Sequence, residues 1–286
     1  MSKRAAHRRG GKPTDGAEAP ERTKEWLAPL LAAVAGSVDA IGYLTLLHVF
    51  TAHMSGNSDA FGAELGRGSW TEVLRRGFPI PVFVLAVALG ALVIELAMRR
   101  GVRSVVAVVF SVEALLLVAF VGFGSTHFSH HAITITKGWR FYGLVALLVV
   151  AMGLQNAGLR RVRGHTVHTT FVTGMLTDLA HESVASVVWW WDGRASRRSG
   201  ARGDGPAGRS PSNGRVAMLA GIWTAYVLGA AAGGFGLGRV GLTLLWVPIA
   251  VLAVVVVLDL RTPLHTSSVV AGAPEPGGSG QSRSTM

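Results

Sequence analysis

The sequence predicts an all-α integral membrane protein with six transmembrane helices, arranged as two inverted three-helix repeats, each with a short helix after its first span. Three observations lead to this prediction. Half of the 286 residues are apolar and only 15% are charged. Several apolar runs reach about 20 residues, which is enough to cross a hydrocarbon core roughly 30 Å thick. A weak self-similarity also relates the two halves of the chain.

Charge and cysteine content exclude several other classes of protein. The formal net charge is +11, but the basic residues cluster at the ends of apolar runs, as membrane orientation signals do, and do not indicate nucleic-acid binding. The chain has no cysteine, which excludes disulfides and thiolate-bound metals. Residues 1–24 are predicted to be a disordered basic tail and not a signal peptide, because the apolar run that follows is too long and lacks a cleavage site.

The first repeat, about residues 26–123, begins the membrane domain of residues 25–258. Its first span contains Asp39 in an otherwise apolar run, and Pro79 and Pro81 open its second span, where the first helical N–H groups need no partner. The arginines that follow the second span end it. The predicted elements are three spans and one short helix, at residues 26–50, 55–65, 78–98 and 104–123.

The second repeat, about residues 141–258, has the same order of elements. An amphipathic segment that ends in three tryptophans follows its first span, and tryptophan is typical of the headgroup region. A flexible linker is predicted at residues 192–214 and a disordered C-terminal tail at residues 262–286. The spans are predicted at residues 141–159, 216–237 and 240–258, and the amphipathic segment at residues 173–191.

Short basic loops predict the orientation. The positive-inside rule assigns such loops to the cytoplasm, so we expect both termini to be cytoplasmic in a bacterial inner membrane. The arginines that decide this are Arg99, Arg100, Arg103, Arg160, Arg161 and Arg163.

The self-similarity predicts the inverted arrangement. The segment from Gly36 to Ala40 aligns with the segment from Gly153 to Ala157, so that Asp39 corresponds to Asn156. Each half contains three spans, an odd number, and the second half must therefore enter the membrane with the opposite polarity. Inverted repeats of this kind are common in secondary transporters.

A substrate site is predicted where the two repeats meet. Transporters of this class bind near the midplane, where the N-termini of short helices point at the solute. An intramembrane acid is a site hypothesis by default, although these polar groups could instead only hydrogen-bond helices together. The predicted site residues are Asp39, Gln155, Asn156, Ser55, Gly56, Asn57, Thr173 and Gly174.

Further ionisable residues have secondary predictions. Glu113 is expected to face the interior site or a polar partner, and His53 and His168 could gate the two mouths or only cap helices. Glu95 is predicted to pair with Arg99 at i+4, and Asp259 to be a solvated boundary residue. No metal site, cofactor or catalytic motif is predicted, although a histidine-based intramembrane enzyme remains a minor alternative.

Two blocks of sequence resemble a known family. The stretch GSVDAIGYLTLLHVFTAHMSGN, residues 36–57, and the pair MGLQNAGLRRV and TTFVTGMLTDLA, residues 152–162 and 169–180, resemble the YoaK family of bacterial membrane proteins, also known as domain of unknown function 1275. Ser55 stands where that family more often has threonine, and the linker is long for it. The resemblance covers about residues 27–258, implies a six-span inner-membrane protein and supplies no substrate.

The expected function is transport of a small solute by a carrier or channel in the lipid bilayer. If the helix N-termini dominate the site, the solute carries a negative group, whereas an ionised Asp39 would indicate coupling to a proton or cation. The alternative is a membrane-embedded interaction or assembly protein without transport activity. No nucleic-acid partner is expected, and no oligomeric state follows from the sequence.

Overall fold

The computed structural model describes residues 26–129, 132–133, 138–163, 172–198 and 213–262. Within these ranges the chain is helical except for one small β-hairpin, β1 (Phe128–Ser129) with β2 (Ala132–Ile133), and short connections. A 3-10 helix, Gly241–Leu245, precedes the last α-helix. The α-helices are α1 (Leu27–Thr45), α2 (Met54–Arg67), α3 (Trp70–Gly77), α4 (Pro79–Arg99), α5 (Val105–Ser125), α6 (Gly138–Arg163), α7 (Val172–Arg198), α8 (Asn213–Val240) and α9 (Trp246–Arg261).

The predicted multi-pass membrane character is confirmed. Five stretches of the described chain are long and apolar enough to cross a membrane. One of them joins α3 to α4, and the last, of 48 residues, contains both α8 and α9. The stretches are Leu27–Thr45, Trp70–Arg99, Val105–Ser125, Gly138–Leu159 and Gly214–Arg261.

Helices α1 and α8 pack closely and in the same direction. A side chain on Gly229 would overlap the backbone of Ala33, and a Cβ on Gly233 would lie 2.7 Å from the carbonyl oxygen of Ser37. Because residue numbers rise together along the contact, the two helices are parallel. Glycine at these positions allows the two backbones to approach, as small residues do between membrane helices.

Helices α4 and α6 form a second close parallel pair. A Cβ on Gly90 would lie 2.7 Å from the Cβ of Ala157, and one on Gly153 would lie 2.5 Å from the Cβ of Ala86. The residue numbers again rise together. The first long helix in each half of the chain therefore packs against a long apolar helix of the other half.

Helix α5 runs antiparallel to both α6 and α9. Near its start, the N–H of Ala107 donates to the Asp259 carboxylate of α9 at 2.7 Å. Near its end, a Cβ on Gly124 would lie 3.0 Å from a methyl group of Leu242, which precedes α9. Against α6, the ring of Phe110 lies 3.4 Å from the Cβ position of Gly158. One apolar cluster is shared by α1, α5, α6, α8 and α9.

The chain reverses sharply after α1. Leu47 and His48 have positive φ angles of 55° and 60°, in the left-handed region that non-glycine residues rarely adopt. This reversal returns the chain to the side of α1, where Thr51 and Ala52 are buried. Non-helical backbone at membrane depth is tolerated when it is buried in protein, as it is here.

Several element predictions need correction. Helix α7 extends to Arg198, so the first residues of the predicted flexible linker are helical. Asp259 is fully buried, and the prediction of a solvated boundary residue is wrong because its carboxylate contacts the start of α5. The short helix predicted at residues 55–65 is confirmed as α2. Helix α3 and the β-hairpin were not predicted, and the tail of residues 1–24 lies outside the described residues.

Candidate functional site

Asp39 lies at the centre of a polar cluster inside the helical bundle. Its side chain is on α1, six residues before the end of that helix, which is about 9 Å along the axis. The atom Oδ1 accepts three hydrogen bonds of 2.8 Å each, from the backbone N–H of Thr51, the hydroxyl of Thr51 and the backbone N–H of Ala52. The carboxylate therefore fastens the returning chain to α1.

The second carboxylate oxygen of Asp39 contacts two further side chains. Nδ1 of His53 lies 2.7 Å from Oδ2, and the hydroxyl of Tyr226, on α8, donates to the same atom at 3.0 Å. Because a carboxylate only accepts hydrogen bonds, this geometry assigns a proton to Nδ1 of His53. Nδ1 and the Tyr226 oxygen are 3.2 Å apart. We call Asp39, His53 and Tyr226 the acid–histidine cluster.

Only His53 connects this cluster with the outside of the bundle. Its side chain is 25% exposed, whereas that of Asp39 is 4% exposed. The ring lies between two aromatic rings, with centroids 5.7 Å from Phe50 and 5.5 Å from Tyr226. Since Nδ1 is held by the carboxylate, Nε2 is the nitrogen that can meet a ligand.

The start of α2 is fixed beside the same cluster. Asn57 is fully buried and hydrogen-bonds both backbone groups of Phe50. Its Oδ1 accepts from the Phe50 N–H at 3.1 Å, and its Nδ2 donates to the Phe50 carbonyl at 2.7 Å. A Cβ on Gly56 would lie 2.9 Å from the Phe50 ring, so any other residue there would have to displace that ring. Ser55 is exposed. No side chain caps α2, and its first N–H groups have no helical partner.

Gln155 and Asn156 of α6, predicted to share one site with Asp39, make no hydrogen bond to its carboxylate among the described residues. Nε2 of Gln155 donates to the carbonyl of Leu31 at 3.0 Å, and Nδ2 of Asn156 donates to the carbonyl of Met152 at 2.8 Å. Leu31 precedes Asp39 by eight residues, about 12 Å along α1. The alignment of the repeats gave equivalent positions in the two halves, but equivalence by an inverted symmetry does not require contact.

The second predicted helix start does not meet the cluster. Thr173 is exposed at the beginning of α7, and Gly174 follows it half-buried. Among the described residues, the Thr173 hydroxyl forms no hydrogen bond with Asp39 or Gln155, and the Thr173 carbonyl oxygen accepts from the hydroxyl of Thr177 at 2.9 Å. The proposed gating residue His168 lies outside the described residues.

Glu113 has an unusual environment. It is fully buried on α5, and neither carboxyl oxygen has a hydrogen-bond partner. The predicted polar partner is therefore absent among the described residues. By contrast, the predicted pair of Glu95 with Arg99 is confirmed at 3.0 Å.

Sequence reasoning missed two members of the site. Thr51 follows Asp39 by twelve residues and meets it only because the chain reverses at positive φ angles. Tyr226 belongs to the other half of the chain and meets Asp39 through the close packing of α1 on α8. Its hydroxyl, in a run of alanine, glycine, valine and leucine, is the one signal that could have marked it.

No metal centre is assembled in the described part of the chain. Three or more histidine or acidic side chains do not come together anywhere in the described ranges. The acid–histidine cluster contains one of each, with a tyrosine hydroxyl. Its chemistry is that of an oriented imidazole in a partly dry environment, which suits hydrogen bonding or proton exchange.

Comparisons with known proteins agree with the resemblance. A family model described as "Protein of unknown function (DUF1275)" matches residues 27–258. The chain is also 28% identical, over 156 residues, to the "UPF0700 transmembrane protein YoaK" of Bacillus subtilis (strain 168), a match over 54% of this chain and 65% of that relative's length. No solved structure matches. Because the family model covers well over half of the residues, the chain belongs to the DUF1275 family.

Proposed function

We propose that this protein is a carrier or channel that moves a small solute bearing an anionic group across the bacterial inner membrane, without catalytic chemistry or a cofactor. The observation that carries the proposal concerns His53, which lies at the start of α2. Its side chain is partly exposed and is oriented by the buried carboxylate of Asp39. A polar group of this kind inside a membrane bundle is costly to maintain, and such groups commonly mark substrate or ion pathways.

The arrangement of charge favours an anionic solute. The buried carboxylate of Asp39 accepts five hydrogen bonds from the protein, and these stabilise its negative charge. The groups left to face a solute are Nε2 of His53 and the first N–H groups of α2. The backbone N–H groups are donors, and Nε2 is a donor when both nitrogens of the imidazole carry a proton. The N-terminus of a helix also favours negative charge.

We also propose six spans in two inverted repeats with cytoplasmic termini. In support, α1 of the first half packs in parallel on α8 of the second half. In the same way, α6 of the second half packs in parallel on α4 of the first half. Gly36 and Gly153, which align in sequence, both stand at these contacts: a Cβ on Gly36 would overlap the carbonyl of Tyr226, and one on Gly153 would meet Ala86.

A reconstitution experiment tests the proposal. Purified protein in liposomes is supplied with labelled acetate, lactate, succinate or phosphate, with glucose and glycerol as uncharged probes. We expect at least one anion to enter faster than in empty liposomes. His53→Asn keeps an N–H for Asp39 but removes Nε2, and loss of one charge-assisted bond, about 1.5–3 kcal/mol, should slow uptake tenfold or more.

The matched control is His181→Asn, at an exposed histidine of α7 outside the cluster. We expect its uptake to equal that of the wild type. Uptake of uncharged probes alone would contradict the anionic solute, and unchanged uptake in folded His53→Asn protein would remove His53 from the pathway.

A second candidate function is a membrane-embedded assembly protein without transport. One observation favours it: both oxygens of the Asp39 carboxylate accept hydrogen bonds from the protein itself. A residue that only holds helices together needs no more than this. Absence of uptake of every probe by folded wild-type protein would favour this candidate. Chemical cross-linking in native membranes would then be expected to trap a second chain.

A further inference from the structure

Glu113 is a buried acid that the proposed transport site does not use. It lies on α5, eight residues after Val105, about 12 Å from the start of a 21-residue helix. It is fully buried, and both carboxyl oxygens lack a hydrogen-bond partner. An ionised carboxylate in this state would be an uncompensated buried charge, which proteins rarely retain.

Gln155 contributes a third orphaned acceptor at the same level of the bundle. Its amide nitrogen is bound to the carbonyl of Leu31, but its Oε1 is buried without a partner. These three oxygens are the buried side-chain N and O atoms without a partner in the described part of the chain. All three are acceptors, so the group as a whole lacks a donor.

The register of α5 against α6 brings the two residues to one level. Phe110 lies beside Gly158, and towards the other end Phe123 and Gly143 line one pocket, so the helices are antiparallel. Glu113 is three residues beyond Phe110, and Gln155 is three residues before Gly158. Residues three apart lie on nearly the same face of a helix. This register places both residues at one depth, next to the contact between Phe110 of α5 and Gly158 of α6.

We propose that Glu113 is a proton-binding site, with the carboxyl O–H donated to the amide oxygen of Gln155. One bound proton neutralises the buried carboxylate of Glu113. It also makes one carboxyl oxygen a hydrogen-bond donor for Oε1 of Gln155. The proton comes from water and no other bond changes. This site is distinct from the acid–histidine cluster, and it does not depend on the transport proposal.

A metal cation fits the site less well than a proton. Calcium and magnesium take six or more oxygen ligands, and the described residues supply three unpartnered side-chain oxygens here. No neighbouring titratable side chain supplies a positive charge to Glu113, because none of the described ones forms a hydrogen bond or ion pair with it. Among the side chains that the structure describes on the helices packed against α5, these groups are Glu95 and Arg99 on α4, Arg140 and Tyr142 on α6, and Asp259 and Arg261 on α9.

Infrared spectroscopy of the full chain in lipid nanodiscs tests the proposal. At neutral pH we expect a carbonyl stretch of a protonated carboxyl group that shifts in D₂O and is lost in Glu113→Gln. Carboxyl-¹³C glutamate labelling of the wild type assigns the band to glutamate without any substitution, which keeps the test valid if the variant does not fold. Glu95→Gln, at an exposed and ion-paired glutamate, is the matched control and should retain the band.

The partner of the proton is tested separately. Gln155→Leu removes the acceptor, so the carbonyl band should move to higher frequency but persist. An unshifted band would overturn the assignment of Gln155. The absence of any protonated glutamate band in the wild type, or its loss on addition of sodium chloride at constant pH, would overturn the proton-binding site itself.

Discussion

Replacing Asp39 tests whether the carboxylate holds the returning chain in place. In Asp39→Ala, the backbone N–H groups of Thr51 and Ala52 lose their acceptor in a region that excludes water. Each orphaned buried donor costs about 1–3 kcal/mol. The Tyr226 hydroxyl and Nδ1 of His53 lie 3.2 Å apart and can bond each other. We expect a loss of about 4 kcal/mol in the free energy of unfolding, within the range of about 3–5 kcal/mol for a broken buried ion pair.

Two further variants grade the effect. Asp39→Asn retains one acceptor oxygen for the three donors at Oδ1 but presents an NH₂ group to His53 and Tyr226, so a loss of about 2 kcal/mol is expected. Thr51→Val removes a single hydroxyl with little change of shape and should cost about 1 kcal/mol.

The assay is reversible unfolding in mixed micelles of mild detergent and dodecyl sulfate, followed by circular dichroism. The expected order of destabilisation is Asp39→Ala, then Asp39→Asn, then Thr51→Val. If Asp39→Ala unfolded within about 0.5 kcal/mol of the wild type, as an ordinary surface substitution does, the carboxylate would not be fastening the chain and the reasoning would be refuted.

Three other substitutions and one control are predicted from local contacts, each measured by the same unfolding assay. Asn57→Ala frees both backbone groups of Phe50 and should cost about 2–3 kcal/mol; a neutral result would mean that water replaces the amide. Gly229→Ala places a methyl group against the α1 backbone and should cost about 1–3 kcal/mol, whereas Gly221→Ala on the same helix meets open space and should be neutral or stabilising; equal effects would contradict the close packing. Asp259→Ala removes an acceptor at the start of α5 and should cost about 1–2 kcal/mol, and no change would show that the contact is dispensable.

Local pattern predicted the helices well because their cause is local. An apolar run of about 20 residues has one stable form in a bilayer, since every backbone group must be satisfied within the segment. The second span was predicted at residues 78–98 and is α4, Pro79–Arg99, with proline at its first turn. The ion pair of Glu95 with Arg99 follows from spacing alone and was also predicted correctly.

The surroundings of Asp39 were foreseen only in part. Asp39 and the helix start at Ser55, Gly56 and Asn57 are close in the chain, but the turn at Leu47 and His48 brings Thr51, not the helix start, onto the Asp39 carboxylate. That turn uses positive φ angles at two residues that carry no turn signal. A sequence pattern does not foresee a conformation that the surrounding contacts impose.

The sequence by itself determined that this is a helical membrane protein with a buried acid, because hydropathy and the cost of a charge in lipid are properties of single segments. Only the tertiary structure decided which groups surround that acid. The packing of α1 on α8 supplied Tyr226, and the reversal of the chain supplied Thr51 and His53, while Gln155 was placed two turns away. Partner choice depends on how helices distant in sequence approach each other, and small residues set that approach without specifying which helix will use it.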